Sequence, residues 1–488
     1  MSEPDLVVIG AGPAGVEAAL AASEAGVKTL IVDEAPRAGG QIYRALPETF
    51  IVRDESALGP DYGAGESLRA RLAASSVQTA FGHRVWRIAS GLSIEAASAD
   101  GARKWQPRAI LAATGAYERV VPFPGWTKPG VMGLAAATIL IKSQQVLPGR
   151  KIAVAGCGPL LAAVAASILA SGGEVAAVID LASRGEWLKT LPALASRPHL
   201  LARGLRWAAT IRTAGVPMFF GHTIARVEDE DDEITGIAIR PVGADGTPIA
   251  GTAERWIEAD TLVVGHGLVP STEISRVLRA KHVFRPERGG WIVKCDSGQR
   301  TSIPGLYACG DGTGISCAAA AALEGRLAGM TIALDLKLID QGAYARAVRE
   351  IDRELLPARR FGAAMAQLLA LRPGLVAAID PQTIVCRCED VRRASVEDAI
   401  ATGAFDLNQL KAWTRAGMGP CQGRLCGETI GTLASAHWGG RDVTGQWTGR
   451  LPLRPVPMAA IIGDYRYEDI VWGGNKAQID DEGRPLKR

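Results

Sequence analysis

Two pairs of cysteines stand late in the chain, Cys386-Arg387-Cys388 and Cys421-Gln422-Gly423-Arg424-Leu425-Cys426. They form a C-x-C…C-x4-C pattern with 32 residues between the pairs. Four thiolates are the ligand set of a [2Fe–2S] cluster. Four thiolates also suit structural zinc, but zinc modules prefer two to four residues inside each pair, and C-x-C brings its sulfurs too close for that knuckle. A site that no longer binds metal is the third reading. The other cysteines, 157, 295, 309 and 317, have no near partner in the chain. Cys309 and Cys317 read as small packed residues, not as a redox pair. None of the six histidines sits in a catalytic motif. His266 has the best location, and a hydrogen-bonded structural role suits it best. No acid–base catalyst is assigned.

The second kind of chemistry lies in two glycine turns. In Gly10-Ala11-Gly12-Pro13-Ala14-Gly15 the first glycine allows a tight turn and the second lets backbone N–H groups approach a pyrophosphate. The third lets the following helix pack close to the strand, its positive dipole end toward the phosphates. An acid at the end of the next strand should hold ribose hydroxyls. Asp33 lies 23 residues past Gly10, and the adjacent Glu34 competes for the role. The second turn, Gly156-Cys157-Gly158-Pro159-Leu160-Leu161, departs from this pattern. Leu161 replaces the third glycine, Ile179 stands in the acid slot, and Asp180 comes one residue later. Three readings stay open: NAD(P)H binding, an adenine nucleotide such as ATP or ADP held for structure, and an empty relic.

Each turn must be positioned by a strand and a helix. Leu6–Ile9 is strand-length, Val16 to Ala25 is helical and stopped by Gly26, and Thr29–Val32 is the next strand. The unit repeats from Lys151, 146 residues on from Gly10 to Gly156. Segment 183–216 is helical and basic. Residues 218–264 read as β-rich with an acidic hairpin tip at Glu228–Glu233, and 316–337 as one helix. A polar helical linker follows over 340–372. In the cysteine module Ser395 opens a helix, Asp406 through Ala416 forms a second one stopped by Gly417, and a third begins at about Gly427. The tail from 441 carries Trp447, Tyr465, Tyr467 and Trp472 among glycines and prolines. It reads either as wrapping for the module or as an interface segment.

Composition limits the function. The 488 residues contain 54 Lys plus Arg against 51 Asp plus Glu, a net charge of +3. That balance argues against nucleic-acid binding by phosphate neutralisation. Hydrophobic residues at 48% and charged residues at 22% suit a globular protein of two to four domains. The acidic start, Met1-Ser2-Glu3-Pro4-Asp5, is unlike a secretory signal, so a cytoplasmic location is expected. The uncharged stretch Ile152 to Gly173 is long enough to span a membrane, but its early glycines and proline fit a strand, a turn and a buried helix better.

Three further motifs accompany the first turn: Gly39-Gly40-Gln41-Ile42-Tyr43-Arg44, Ala113-Thr114-Gly115-Ala116, and Thr301-Ser302-Ile303-Pro304-Gly305-Leu306-Tyr307-Ala308-Cys309-Gly310-Asp311. In this order they resemble the two-dinucleotide flavoprotein reductases of the glutathione- and thioredoxin-reductase-like class. The resemblance covers about 1–335 and implies FAD at Gly10, Gly12, Pro13, Ala14, Gly15, Asp33 or Glu34, Gly40, Gln41, Ala113, Thr114 and Gly115, with Gly310-Asp311 on the ribityl-phosphate portion. It places a nicotinamide nucleotide at Gly156, Gly158, Pro159 and Leu160. Gly265-His266-Gly267 matches the class's second glycine turn. The two close cysteines that disulfide-reducing members need beside the flavin are missing, so thiol–disulfide exchange is not expected.

The cysteine module, about 384–440, resembles the bacterioferritin-associated ferredoxin-like [2Fe–2S] domain. Its second pair is C-x4-C where that domain usually has C-x2-C. Over the whole chain, the reductase-like part joined to Cys386-Arg387-Cys388-Glu389-Asp390-Val391 and Gly417-Met418-Gly419-Pro420-Cys421-Gln422-Gly423-Arg424 is similar to the α (A) subunits of opine oxidases, D-hydroxyproline dehydrogenase and hydrogen cyanide synthase. This resemblance implies a β partner, an amino-acid-oxidase-like flavoprotein that oxidises the amine. It also implies a small γ iron–sulfur chain, and in some relatives FMN held between α and β. The fold expected is α/β. It comprises an FAD domain at 1–125 and 261–340, a second dinucleotide domain at 126–260 and a helical linker at 341–383. A [2Fe–2S] domain at 384–440 and a tail at 441–488 complete it. A stand-alone NAD(P)H reductase and a scaffold that only completes the β chain's site are the rival functions.

Overall fold

The structure is a computed structural model that describes residues 3–51 and 58–462 and the short strands at 471–472 and 475–476. The first sheet is parallel and five-stranded. Its order is Leu306–Ala308, Ala109–Ala112, Leu6–Ile9, Thr29–Val32, Gln78–Ala80. Every residue of Leu6–Ile9, Thr29–Val32 and Ala109–Ala112 is buried, as expected for strands covered on both faces. One covering layer is the helix Pro13–Glu24 laid against the helix Ala318–Asp335. Small residues let these two meet. A Cβ on Gly325 would stand 2.0 Å from the Ala14 carbonyl oxygen, and one on Gly329 2.4 Å from that of Ala18.

The second sheet repeats the plan, in the order Met218–Phe220, Glu174–Asp180, Lys151–Gly156, Thr261–Gly265, Val131–Gly133. The acidic hairpin forms as expected from His222–Glu230 and Glu233–Pro241, with Asp231 and Asp232 at positive φ in its tip. The uncharged stretch from Ile152 divides into the strand Lys151–Gly156 and the helix Leu160–Ala170. Among the described residues no helix is long and apolar enough to cross a membrane.

The helical segment expected over 340–372 forms as a 28-residue helix, Gln341–Leu368, with one buried face. Ile351, Leu355 and Ala358 pack with Leu323 and Leu327, while Met365 and Leu368 pack with Ala182 and Leu194. It is therefore part of the core, because its apolar residues fall on one stripe despite its polar average. The helix assigned to Ser395 begins two residues earlier, at Arg393, so Ser395 sits inside the first turn. Asp406 caps the next helix, Leu407–Thr414, by accepting from the Gln409 N–H at 2.8 Å. The third, Gly427–Trp438, starts directly after Cys426.

The basic segment folds as Arg184–Leu194 and Pro198–Thr213. Part of its charge is used within the chain. Arg203 donates to Asp61 at 2.8 Å, and Arg184 lies over the Phe220 ring. Trp447 is buried in the core of the cysteine module, so at that point the tail wraps its own chain. Tyr465 and Tyr467 lie outside the described residues, as does the side chain of Trp472.

Candidate functional site

The first glycine turn sits at the carboxyl ends of the parallel strands, where open α/β sheets form their ligand crevice. A Cβ on Gly15 would stand 1.8 Å from the Gly10 carbonyl oxygen, so helix and strand meet backbone to backbone. Gly12 differs. A Cβ there would meet only the Gly40 Cα, at 3.8 Å, so this residue faces open space. Gly39 closes the back of the turn by donating to the Ala11 carbonyl at 2.8 Å. Asp33 turns toward the loop. Its carboxylate accepts from the N–H groups of Ala11 at 2.5 Å and Ala35 at 2.7 Å. Burial pushes its pKa up against those two bonds. Glu34 points the other way, to a surface ion pair with Arg84 at 3.1 Å.

The remaining first-site residues converge on the same edge. Thr114 donates its hydroxyl to the Ser271 carbonyl at 2.8 Å, and Ser271 returns an N–H to Gly115 at 2.9 Å. Gly310 abuts Ala14. Asp311 accepts from the Ser316 N–H at 3.2 Å, and burial lifts its pKa to about 6. Gln41 stands at the exposed rim. A glycine edge with an open Gly12, an acid beside the turn and a second carboxylate at Asp311 suit an FAD, whose pyrophosphate, ribose and ribityl groups would each find a polar partner there.

The second turn is built differently. Gly156 is needed by its neighbours, since a Cβ there would be 1.8 Å from the Gly265 carbonyl oxygen. Gly158 does not face open space. A Cβ on it would be 2.5 Å from Leu369 Cδ2. Leu369 is buried, and it is held in place from below. The guanidinium of Arg119, itself 3% exposed, donates to the carbonyls of Leu369 (2.7 Å), Gly289 (2.9 Å), His266 (3.1 Å) and Leu268 (3.1 Å). The acid position is also occupied. Asp180 is buried and accepts from the Ala182 N–H at 2.9 Å and Trp187 Nε1 at 2.8 Å, with its pKa lifted by burial to about 6. Leu161 is buried inside, while Pro159 and Leu160 begin the helix at the partly open rim. His266 is buried and uncharged, its pKa pushed down to about 4 by burial and by Arg119. Nothing in the local spacing around Arg119, Trp187 or Leu369 marks them in the sequence.

The four late cysteines come together. The Cys386 and Cys426 thiols touch, Cys426 also touches Cys421, and Cys421 touches Cys388. Cys386 and Cys426 are buried, and Cys388 and Cys421 are half-buried. Backbone N–H groups of Gly417, Glu389 and Cys388 point at the Cys386 sulfur, and those of Gly423 and Leu425 at Cys421. The hydrogen bond from Cys426 and these N–H groups together lower both thiols toward the thiolate that binds metal, while Cys426 is pushed up. Among the described residues no three His, Cys, Asp or Glu side chains close around one ion-sized point. A string of thiols with N–H donors fits a two-iron core, which takes its ligands in pairs, better than tetrahedral zinc. All eight cysteines are free of disulfides.

The module is locked onto the rest of the chain. Arg424, between Cys421 and Cys426, donates to Glu273 at 2.7 Å. Thr429 donates to the Val120 carbonyl at 2.9 Å, and Trp126 Nε1 to that of Ile384 at 2.7 Å. The Trp447 indole lies against Gly417 and Gly423, and its Nε1 donates to Leu407 at 3.0 Å.

Both parts of the chain match known families. The pattern of the Pyridine nucleotide-disulphide oxidoreductase family matches residues 4–325, and that of the BFD-like [2Fe-2S] binding domain matches 384–434. The A subunit of opine oxidase from Agrobacterium tumefaciens (strain Ach5) is 34% identical over 94% of this chain and 91% of its own length. The HcnB subunit of hydrogen cyanide synthase from Pseudomonas protegens is 32% identical over 93% of this chain and 96% of its own length. The solved L-proline dehydrogenase of P. horikoshii shares the fold, with a TM-score of 0.65 at 20% identity over 94% of this chain and 79% of its own. By these matches the chain, which joins a flavoprotein fold to a BFD-like [2Fe–2S] domain, belongs to the pyridine nucleotide-disulphide oxidoreductase family, with the A subunits of opine oxidases and the HcnB subunits as relatives.

Proposed function

We propose that this chain is the electron-transfer subunit of a heteromeric amine dehydrogenase, acting on an opine or D-hydroxyproline-like imino acid. The substrate is oxidised on a partner β chain, an amino-acid-oxidase-like flavoprotein, with a small γ iron–sulfur chain and an interfacial FMN as further components. FAD is assigned to Gly10, Gly12, Pro13, Ala14, Gly15, Asp33, Gly40, Gln41, Ala113, Thr114, Gly115, Gly310 and Asp311. The cluster is assigned to Cys386, Cys388, Cys421 and Cys426. When bound, the flavin supplies two-electron uptake with release of single electrons, which a [2Fe–2S] cluster carries. The chain itself binds, orients and shields: Asp33 and Asp311 hold hydroxyls, and the backbone N–H groups around Cys386 and Cys421 hold sulfur. The domain division expected from the sequence and a cytoplasmic location belong to the same reading.

The observation that carries it is the direct lock between the cysteine module and the flavin half, through Arg424–Glu273 and Thr429–Val120. That arrangement suits electron passage inside one chain. The rival reductase needs an accessible second turn, and here Leu369 lies against Gly158 while Trp187 holds the Asp180 carboxylate. Purification from the native source, with co-purifying chains and cofactors identified, is the test. Recovery with a flavoprotein partner, an amine-reducible flavin and a [2Fe–2S] signal is expected. Recovery alone, with a flavin that NADH or NADPH bleaches rapidly, would overturn the reading.

A further inference from the structure

A cavity of about 50 Å³ lies at the joint between the flavin half and the iron–sulfur module. Three residues on its wall carry buried N–H groups with no partner among the described residues: Arg276 Nε, Trp291 Nε1 and Arg441 Nε. Arg276 and Trp291 come from the flavin half, on Glu273–Val277 and Gly290–Val293. Arg441 comes from the segment after the module, on Arg441–Thr444, and its side chain is 9% exposed. Buried donors of this kind are almost always satisfied, so three around one cavity ask for a common acceptor.

The charges agree. Glu428, also on the wall, pairs with Arg441 at 3.0 Å, and Glu273 pairs with Arg424 at 2.7 Å. Arg276 keeps an uncompensated charge; among the described residues its side chain makes one long hydrogen bond, 3.4 Å, from Nη1 to the Trp447 carbonyl. The ring walls of Tyr117, Trp291 and Trp447 keep the local dielectric low, which strengthens a charge-assisted hydrogen bond. Size narrows the choice. A water needs roughly 10–15 Å³ on this measure, so the cavity takes a group of a few heavy atoms and excludes a whole nucleotide.

We propose that this cavity binds a compact oxyanion, a phosphate or the carboxylate of a small acid, which bridges Arg276 and Trp291 on one side to Arg441 on the other. The site borders the Cys421–Cys426 loop through Gln422, Gly423 and Arg424, and the four cysteines are not part of its wall. It staples the module to the flavin half.

The test uses the full-length holoprotein. Inorganic phosphate and acetate are titrated by calorimetry and thermal melting, against sodium chloride at equal ionic strength. A saturable heat and a Tm rise of about 3 °C are expected at saturation. Response to phosphate alone identifies a phosphate site; response to acetate as well identifies a carboxylate-accepting one. Arg276→Gln should weaken binding at least tenfold, and Trp291→Phe, which keeps the ring and removes the N–H, several-fold. If Arg276→Gln does not fold, Trp291→Phe carries the comparison. Effects no larger than those of chloride, or binding unchanged in the folded variants, overturn the proposal and leave a water-filled cavity.

Discussion

Replacing Arg119 with methionine keeps the apolar shaft and deletes the guanidinium that ties four carbonyls together. Those carbonyls belong to the second glycine turn, the flavin half and the end of the long helix. Each lost charge-assisted bond is worth about 1.5–3 kcal/mol, and the four are not additive. Removing one side of a buried polar knot typically costs 3–5 kcal/mol, so about 4 kcal/mol is expected. With an unfolding entropy of roughly 2.1 cal/mol/K per residue, a chain of 488 residues has about 1 kcal/mol/K. A single cooperative transition would then fall by about 4 °C. Local release of the segment around Leu369 would instead show as faster thermolysin cleavage within 365–379 at an unchanged main transition. Calorimetry and timed proteolysis read both outcomes. A Tm within 1 °C of wild type together with an unchanged cleavage rate would refute the role given to Arg119.

Gly12→Val should fold normally without flavin, because Gly12 has φ −72° and its Cβ direction is open, yet lose flavin retention; full visible absorbance after purification would count against the first-site assignment. NADH and NADPH should reduce the bound flavin slowly and without saturation in stopped flow, since Leu369 covers Gly158; rapid stoichiometric bleaching would count against that contact. Glu118 is half-buried and accepts from Ala135 N–H at 2.7 Å, with its pKa raised from 4.5 to about 7 by desolvation. Its stabilising protonated form is present below about pH 4.5 and lost as pH rises through 7, so Glu118→Gln should gain up to about 3 kcal/mol on wild type between pH 4.5 and 8 in urea melts; a pH-independent difference would exclude this. Trp447→Ala should cost about 3–5 kcal/mol and speed loss of cluster absorbance, because the indole fills the space over Gly417 and Gly423; an unchanged bleaching rate would show that the tail does not protect the cysteines.

Much of the fold is legible in the sequence because its signals are local. A strand, a glycine turn and a helix are specified within about 25 residues by sterics, apolar runs and the helix dipole, and both units appear where these signals stand. The Asp406 cap and the acidic hairpin tip are equally local. The helix after 340 forms where it is expected, while its buried stripe is hidden by its mean polarity, and Ser395 reads as a helix start because helix ends shift by a residue or two.

By itself the sequence determined the two dinucleotide folds, the two cysteine pairs and the order of the motifs, since each turn and each pair depends on residues close in the chain. Tertiary structure alone decided what those sites meet. It turned Asp33 inward and Glu34 outward, because successive residues at a strand end project to opposite sides. It gave Asp180 to Trp187, and brought Leu369 onto Gly158 and Arg119 under both. It also set Arg276, Trp291 and Arg441 around one cavity. Leu369 and Gly158 stand far apart in the chain and meet only because apolar burial packs the end of the long helix against Ala182 and the helix Arg184–Leu194. A contact of that kind exists only once the core has closed, and no window of sequence contains it.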